Sequence, residues 1–208
     1  MITGRTYLVE VNGRMRGMNM KDLLGRLLAG VLVFGSLSAY GLEVGDAAPE
    51  ATSTDENGEA WALKDYAGKN AVVVYFYPAD MTPGCTKQAC SYRDNKDALD
   101  KAGIKVFGVS GDSAAGHKIF RKAHDLNFTL LTDGDGSLAK AFGVPTGKGG
   151  TIQRKVDGES VSLTRTLTTQ RWTFVISKEG KVIYKNTRVN PTADVQEVLK
   201  AVAAAASE

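Results

Sequence analysis

The 208-residue chain is poor in the residues that advertise disulfide or metal chemistry, with two cysteines and two histidines. Two cysteines exclude a disulfide-dense small scaffold and a four-cysteine zinc site. A surplus of one charge is also missing from the body of the chain. Lys plus Arg number 26 and Asp plus Glu 23. Residues 1–41 hold five of the bases (Arg5, Arg14, Arg16, Lys21, Arg26) and two of the acids (Glu10, Asp22), which leaves 21 of each in residues 42–208. A formally neutral body lacks the clustered bases that phosphates require, so general nucleic-acid binding is excluded. The apolar run Leu27 to Leu37 falls short of the roughly 18 to 20 residues of a membrane span. What is present, 43% apolar and 24% charged residues, suffices for one domain with a full core.

That apolar run follows Lys21 and Arg26 and leads into small residues at Ala39 and Gly41. This is the three-part pattern of a secretory signal peptide, with the mature chain expected from near Leu42. Residues 1–17 carry no such pattern, and Met15, Met18 and Met20 follow closely, so one of these is expected to be the true start. The expectation is therefore a leader over 1–41, a single domain over 42–208, no stable membrane anchor after cleavage, and export to a bacterial periplasm or the exterior. Such a compartment permits disulfides.

The body alternates strand and helix patterns. Ala71 to Tyr77 (AVVVYFY) is an unbroken β-branched and aromatic run, the signature of a central strand buried on both faces. Thr82 and Pro83 read as an N-cap and a first-turn proline, opening a helix expected to run to Gly103. Strands follow at Ile104 to Ser110 and Phe128 to Leu131, with helices at Ala114 to Asp125 and Ser137 to Phe142. Trp172 to Ser177 and Lys181 to Lys185 flank a hairpin turn, and a last helix is expected from Asn190 and Pro191. Between Gly143 and Gln170 there is no sustained period, and the segment reads as a surface excursion, with a polar hairpin turning at Asp157 and Gly158. The alternation predicts an α/β domain with helices on both faces of a sheet.

The chemistry concentrates where the central strand meets the first long helix. Cys85 falls in the first helical turn, where free backbone N–H groups and the helix dipole favour an anion, and the thiolate is the nucleophilic form of cysteine. Gly84 lets a small ligand approach the backbone, and the Thr82 hydroxyl can bond a polar group over the sulfur. Cys90 lies five residues on, about 7.5 Å along an intact helix and turned by about 140°. Disulfide geometry wants α-carbons within about 6.8 Å, so the helix has to unwind before the sulfurs join. Oxidation of Cys85 to a sulfenic acid and its capture by Cys90 would use that switch. Three other readings stand beside this one: a static structural disulfide, a thiol:disulfide exchanger, and a metal-delivery module pairing the cysteines with His117 or His124. The exchanger would prefer two intervening residues between its cysteines, whereas four intervene here.

The run from Pro78 through Thr86 (PADMTPGCT), with Cys90 after it, resembles the active-site motif of peroxiredoxins, and most closely that of the bacterioferritin-comigratory or Q-type group. The resemblance extends from about Leu42 to the C-terminus. It implies a thioredoxin-like fold, a central mixed β-sheet flanked by helices, and reduction of hydrogen peroxide and organic hydroperoxides with electrons from a thioredoxin-type protein. No cofactor is implied, and a monomer is expected. Pro78 would shield the pocket, Thr82 would hydrogen-bond the peroxide, Cys85 would be the peroxidatic nucleophile and Cys90 the resolving thiol. Arg171 matches the family's distant arginine, which would hold the thiolate charged and stabilise the developing negative charge. The leader and the long Gly143 to Gln170 excursion depart from many relatives, and the excursion is expected to alter the pocket rim or the docking of a reductant.

Overall fold

The computed structural model describes residues 7–11, 14–18 and 41–207, in two units, Met1–Ala39 and Tyr40–Glu208. In the first unit β1 (Tyr7–Val11) and β2 (Arg14–Met18) pair as an antiparallel hairpin. The apolar run Leu27 to Leu37, on which the leader reading rests, lies outside the described residues.

The second unit is built on β5 (Ala71–Phe76), the strand expected from the AVVVYFY run. Its neighbours are β3 (Thr52–Asp55), β4 (Ala60–Ala62), β6 (Ile104–Ser110), β7 (Thr129–Thr132), β10 (Trp172–Ile176) and β11 (Val182–Asn186). The sheet order is β11-β10-β5-β6-β7-β3-β4. β5, β6 and β7 run parallel, and β10, β11, β3 and β4 are joined antiparallel, so the sheet is mixed as expected. The β3–β4 pair is absent from the sequence expectation. Its strands are four and three residues long, and TSTD of β3 is polar at every position, so no apolar alternation marks it.

Strand periodicity divides the core into two. Val72, Val74 and Phe76 face one side with Trp61, Leu63, Phe107, Phe142 and Phe174, while Val73, Tyr75 and Tyr77 face the other. Each large side chain so buried contributes roughly 1.5–3 kcal/mol. The first face is covered by α4 (Ser137–Ala141), whose N-terminal amides are taken by Asp133: its Oδ1 accepts from Leu138 and its Oδ2 from Ala139. The DGDG stretch from Asp133 is therefore a helix-initiating turn. The second face carries α1 (Pro83–Asp94), α2 (Lys96–Lys101), α3 (Ala114–Ala123) and α5 (Asp194–Ala205), through Ala89, Tyr92, Leu99, Phe120, Val195 and Val198.

Two helix expectations need correction. The helix expected to reach Gly103 breaks at Asn95, whose backbone leaves the helical region (φ −102°, ψ 16°) and whose side-chain amide donates to Ser91 O at 2.9 Å. Asparagine competes for backbone bonds in this way and so ends helices. The last helix begins at Asp194, not at Asn190: the Asn190 side chain accepts from the Thr192 backbone and hydroxyl at 3.1 and 3.0 Å, closing a local turn first.

The excursion forms the expected hairpin. β8 (Thr146–Val156) and β9 (Glu159–Thr169) pair throughout, turning at Asp157 (φ 53°) and Gly158 (φ 87°). Positive φ at both central residues is the two-residue turn that matches strand twist. The hairpin is tied to the body rather than only projecting from it. Leu163 is fully buried, and Thr169 Oγ1 donates to Tyr77 O at 2.9 Å, at the mouth of the loop that follows β5.

Candidate active site

β5 delivers the chain to the loop Tyr77–Thr82, and hydrogen bonds from three directions hold that loop. The Asp80 amide donates to Asp112 Oδ2 at 3.0 Å. The Asp80 carboxylate accepts from Tyr77 Oη at 2.7 Å and meets His117 Nδ1 at 2.8 Å. All four side chains are fully buried. Burial would lower the His117 pKa, but the Asp80 carboxylate outweighs it and holds the imidazole above its usual range. Burial, reinforced by the Asp80 charge, pushes Asp112 up to about 6. His117 is thus a core residue engaged under the loop. From above, Arg154 of β8 donates through Nε to Met81 O at 3.0 Å. Met81 takes a left-handed backbone (φ 58°), a conformation that costs a non-glycine residue of order 1 kcal/mol and persists where its surroundings fix it. The excursion therefore does reach the rim.

Thr82 occupies the N-cap position in extended backbone, with Pro83 first in the helix. Its hydroxyl does not cap α1. It donates to Ala79 O at 3.0 Å, which spends its proton and leaves the oxygen as an acceptor. Pro78, half-buried, leads the loop from the strand. Cys85 sits in the first turn of α1 and is 1% exposed, packed in the same apolar cluster as Tyr75, Ala89 and Tyr92.

The main electrostatic feature at Cys85 comes from 86 residues away. Arg171, immediately before β10, donates through Nη2 to Cys85 Sγ at 3.2 Å and through Nη1 to Gln88 Oε1 at 2.5 Å. A guanidinium carries donors only, so the sulfur is the acceptor. Gly84 leaves room for this approach. A Cβ there would stand 3.3 Å from Arg171 Nη2, tighter than side chains ordinarily pack.

Cys90, half-buried, is on the same unbroken helix, and both cysteines are free thiols. The structure thus brings Cys85 and Arg171 together, with Thr82 at the N-cap three residues before Cys85, and leaves Cys90 farther along α1.

Two residues were not singled out from the sequence. Gln88 is buried three residues after Cys85, and its amide lies between Arg171 and Asp194: Nε2 donates to Asp194 Oδ2 at 2.7 Å. Asp194 Oδ2 also accepts from Tyr92 Oη at 2.7 Å and Thr173 Oγ1 at 2.9 Å. Burial pushes the Asp194 carboxyl upward, and these three hydrogen bonds oppose the rise. A polar residue on the otherwise apolar inner face of α1, at i+3 from Cys85, was the available signal for Gln88. Asp194 gave none, because its partners lie 21 to 106 residues away.

Comparison with known proteins places the chain in a family. The AhpC/TSA family model matches residues 44–185. A rice protein, peroxiredoxin Q, chloroplastic, is 43% identical over 157 residues, covering 75% of this chain and 64% of its own length. This chain's match thus spans a little under two thirds of that relative. The putative peroxiredoxin bcp of Coxiella burnetii is 39% identical over 158 residues, covering 76% of this chain and 97% of its own. Among solved structures, the Xanthomonas campestris bacterioferritin comigratory protein superposes with a TM-score of 0.63 at 33% identity, over 79% of this chain and 98% of its own. The fold is accordingly thioredoxin-like.

These relatives overturn the expected location. Plant proteins at 41–43% identity are named as chloroplastic, which contradicts the assignment to a bacterial periplasm or the exterior. Basic residues are common to secretory and organelle-targeting leaders, so Lys21 and Arg26 do not discriminate between the two. The match that runs from the first turns of the sheet domain through β11, and a bacterial relative covered nearly end to end, make this chain a member of the AhpC/TSA family, in its peroxiredoxin Q group.

Proposed function

We propose that residues 42–208 form a thiol peroxidase that reduces hydrogen peroxide and organic hydroperoxides. The observation that carries this reading is the 3.2 Å bond from Arg171 to Cys85 Sγ at the N-terminus of α1, with a second thiol on the same helix. The Cys85 thiolate attacks the distal oxygen of ROOH. The O–O bond breaks, the sulfur is oxidised to the sulfenic acid, and RO⁻ leaves and takes a proton as ROH, or as water when the substrate is hydrogen peroxide. The Thr82 oxygen accepts from the peroxide O–H, and Arg171 stabilises the charge developing on the departing oxygen. Pro78 screens the thiolate from bulk water. Cys90 then attacks the Cys85 sulfur, and water leaves as the disulfide forms. An external dithiol protein of the thioredoxin type reduces that disulfide, itself becoming oxidised. The Xanthomonas relative's alkyl peroxide reduction activity supports extending the substrates to organic hydroperoxides.

Both reacting sulfurs belong to one helix, so a monomer is sufficient for the cycle. Exchange with protein disulfides is the weaker reading because Cys85 is 1% exposed, which shuts out another protein's disulfide. The test is stopped-flow peroxide decay with Cys85→Ser and Cys90→Ser. Cys85→Ser should abolish consumption, and Cys90→Ser should permit one turnover without dithiol recycling. Undiminished turnover by both would contradict the assignment.

A further inference from the structure

Cys90 has to leave the helix to reach Cys85, so whatever holds that part of α1 in place sets when the switch can turn. Two side chains bracket Cys90 on the helix, Gln88 two residues before and Tyr92 two residues after. Both donate to one atom, Asp194 Oδ2, at 2.7 Å each. Thr173 Oγ1 of β10 converges on the same oxygen at 2.9 Å, while Asp194 Oδ1 is buried without a partner. Gln88, Tyr92, Thr173 and Asp194 are all fully buried.

The carboxylate also fixes the sense of the Gln88 amide. A carboxylate accepts and does not donate, so Gln88 must turn its NH₂ toward Asp194 and its oxygen toward Arg171. That oxygen takes Arg171 Nη1, and the same guanidinium's Nη2 reaches Cys85 Sγ. Asp194 is therefore joined to the reacting sulfur through Gln88 and Arg171, and to the Cys90 segment through Gln88 and Tyr92.

Resting on the peroxidase reading above, we propose that Asp194 is a positioning residue with two linked effects. It orients Arg171 on Cys85 for the peroxide step, and it latches the Cys90 segment in the helix, delaying disulfide closure. The two rates are thereby set against each other by one carboxylate. Weakening the latch slows the first step and quickens the second.

The test is Asp194→Asn, with the two steps measured separately by rapid-quench mass spectrometry: appearance of the Cys85 sulfenic acid, then its loss to the disulfide. Asparagine keeps an oxygen for the three donors but removes its negative charge, and its NH₂ would face the partnerless position of Oδ1. Loss of a firm hydrogen bond to a charged group predicts a peroxide step slowed about tenfold. Disulfide closure should become several-fold faster, and a smaller fraction of Cys85 should proceed to sulfinic acid under excess peroxide.

A merely structural residue would lower the melting temperature and slow both steps together. Either that pattern or unchanged rates overturns the proposal. Should Asp194→Asn fail to fold, Tyr92→Phe removes one donor with no change of shape and must accelerate closure; closure at the original rate overturns the latch. Cys85→Ser, run alongside, separates the two levels. If it still consumes peroxide the peroxidase reading falls, and if it does not while Asp194→Asn shows no opposed change, the latch alone falls.

Discussion

Replacing Arg171 by alanine removes the group that ties Cys85 to the rest of the site. The guanidinium lies 3.2 Å from the sulfur, where a full pair of charges at an effective dielectric near 20 interacts by about 5 kcal/mol. Part of that attraction is present before reaction, so the kinetic effect should be smaller than the whole. Deleting one preorganised donor aimed at developing charge in other enzymes costs about 2.7–4 kcal/mol, or 10²–10³ in rate. Arg171→Ala should accordingly slow the bimolecular peroxide step by about 10²–10³-fold. Arg171→Lys should fall between, because an ammonium restores the charge but cannot fork between Cys85 Sγ and Gln88 Oε1. The assay is sulfenic acid formation at limiting peroxide, with a thermal melt on each variant. The melt matters because the orphaned Gln88 oxygen should itself cost about 1–3 kcal/mol of stability. A peroxide step within about threefold of wild type, roughly 0.65 kcal/mol, in a folded Arg171→Ala protein would refute the electrostatic role.

Two further predictions concern the loop before Cys85. Arg154→Ala removes the bond from the hairpin to Met81 O, and should slow the peroxide step about fivefold, in line with about 1 kcal/mol for one hydrogen bond; an unchanged rate would detach the hairpin from the site. Asp112 gives a pH signature. Burial holds its pKa at about 6 in the folded chain, above the ordinary 3.8, so between those values the folded chain holds a proton that the unfolded chain has released, and stability falls as pH rises through that window. Asp112→Asn removes this term. Denaturant unfolding should show the variant gaining on wild type from pH 4 to pH 7 by on the order of 2–3 kcal/mol. A difference that does not vary with pH would contradict the burial argument.

The parts of this molecule written locally in the chain were legible before its structure. The β5 run is apolar at every position because both faces are covered, and the Asp157-Gly158 pair specifies its turn through backbone preferences alone. Cys85 in a first turn behind Pro83, and Cys90 out of reach along the same helix, follow from helical geometry. Boundaries that depend on side-chain competition were misjudged. Asn95 ends α1 by bonding back to Ser91, and Asn190 delays α5 by capturing Thr192. Contacts across long separations were hardest to foresee. Arg171 came from resemblance to a family and not from any local pattern, and the role of Asp194 emerges only once α1, β10 and α5 are packed together. The leader illustrates a different difficulty, since basic residues at the start of a chain serve more than one targeting route.

On the proposed mechanism peroxide oxidises the Cys85 sulfur and Cys90 recovers it. The most direct measurement is the mass of Cys90→Ser after one equivalent of hydrogen peroxide, with the modified residue located by peptide mapping. One added oxygen is expected on Cys85, trapped as sulfenic acid because no second thiol can capture it. An unmodified Cys85 with the peroxide still present would contradict it.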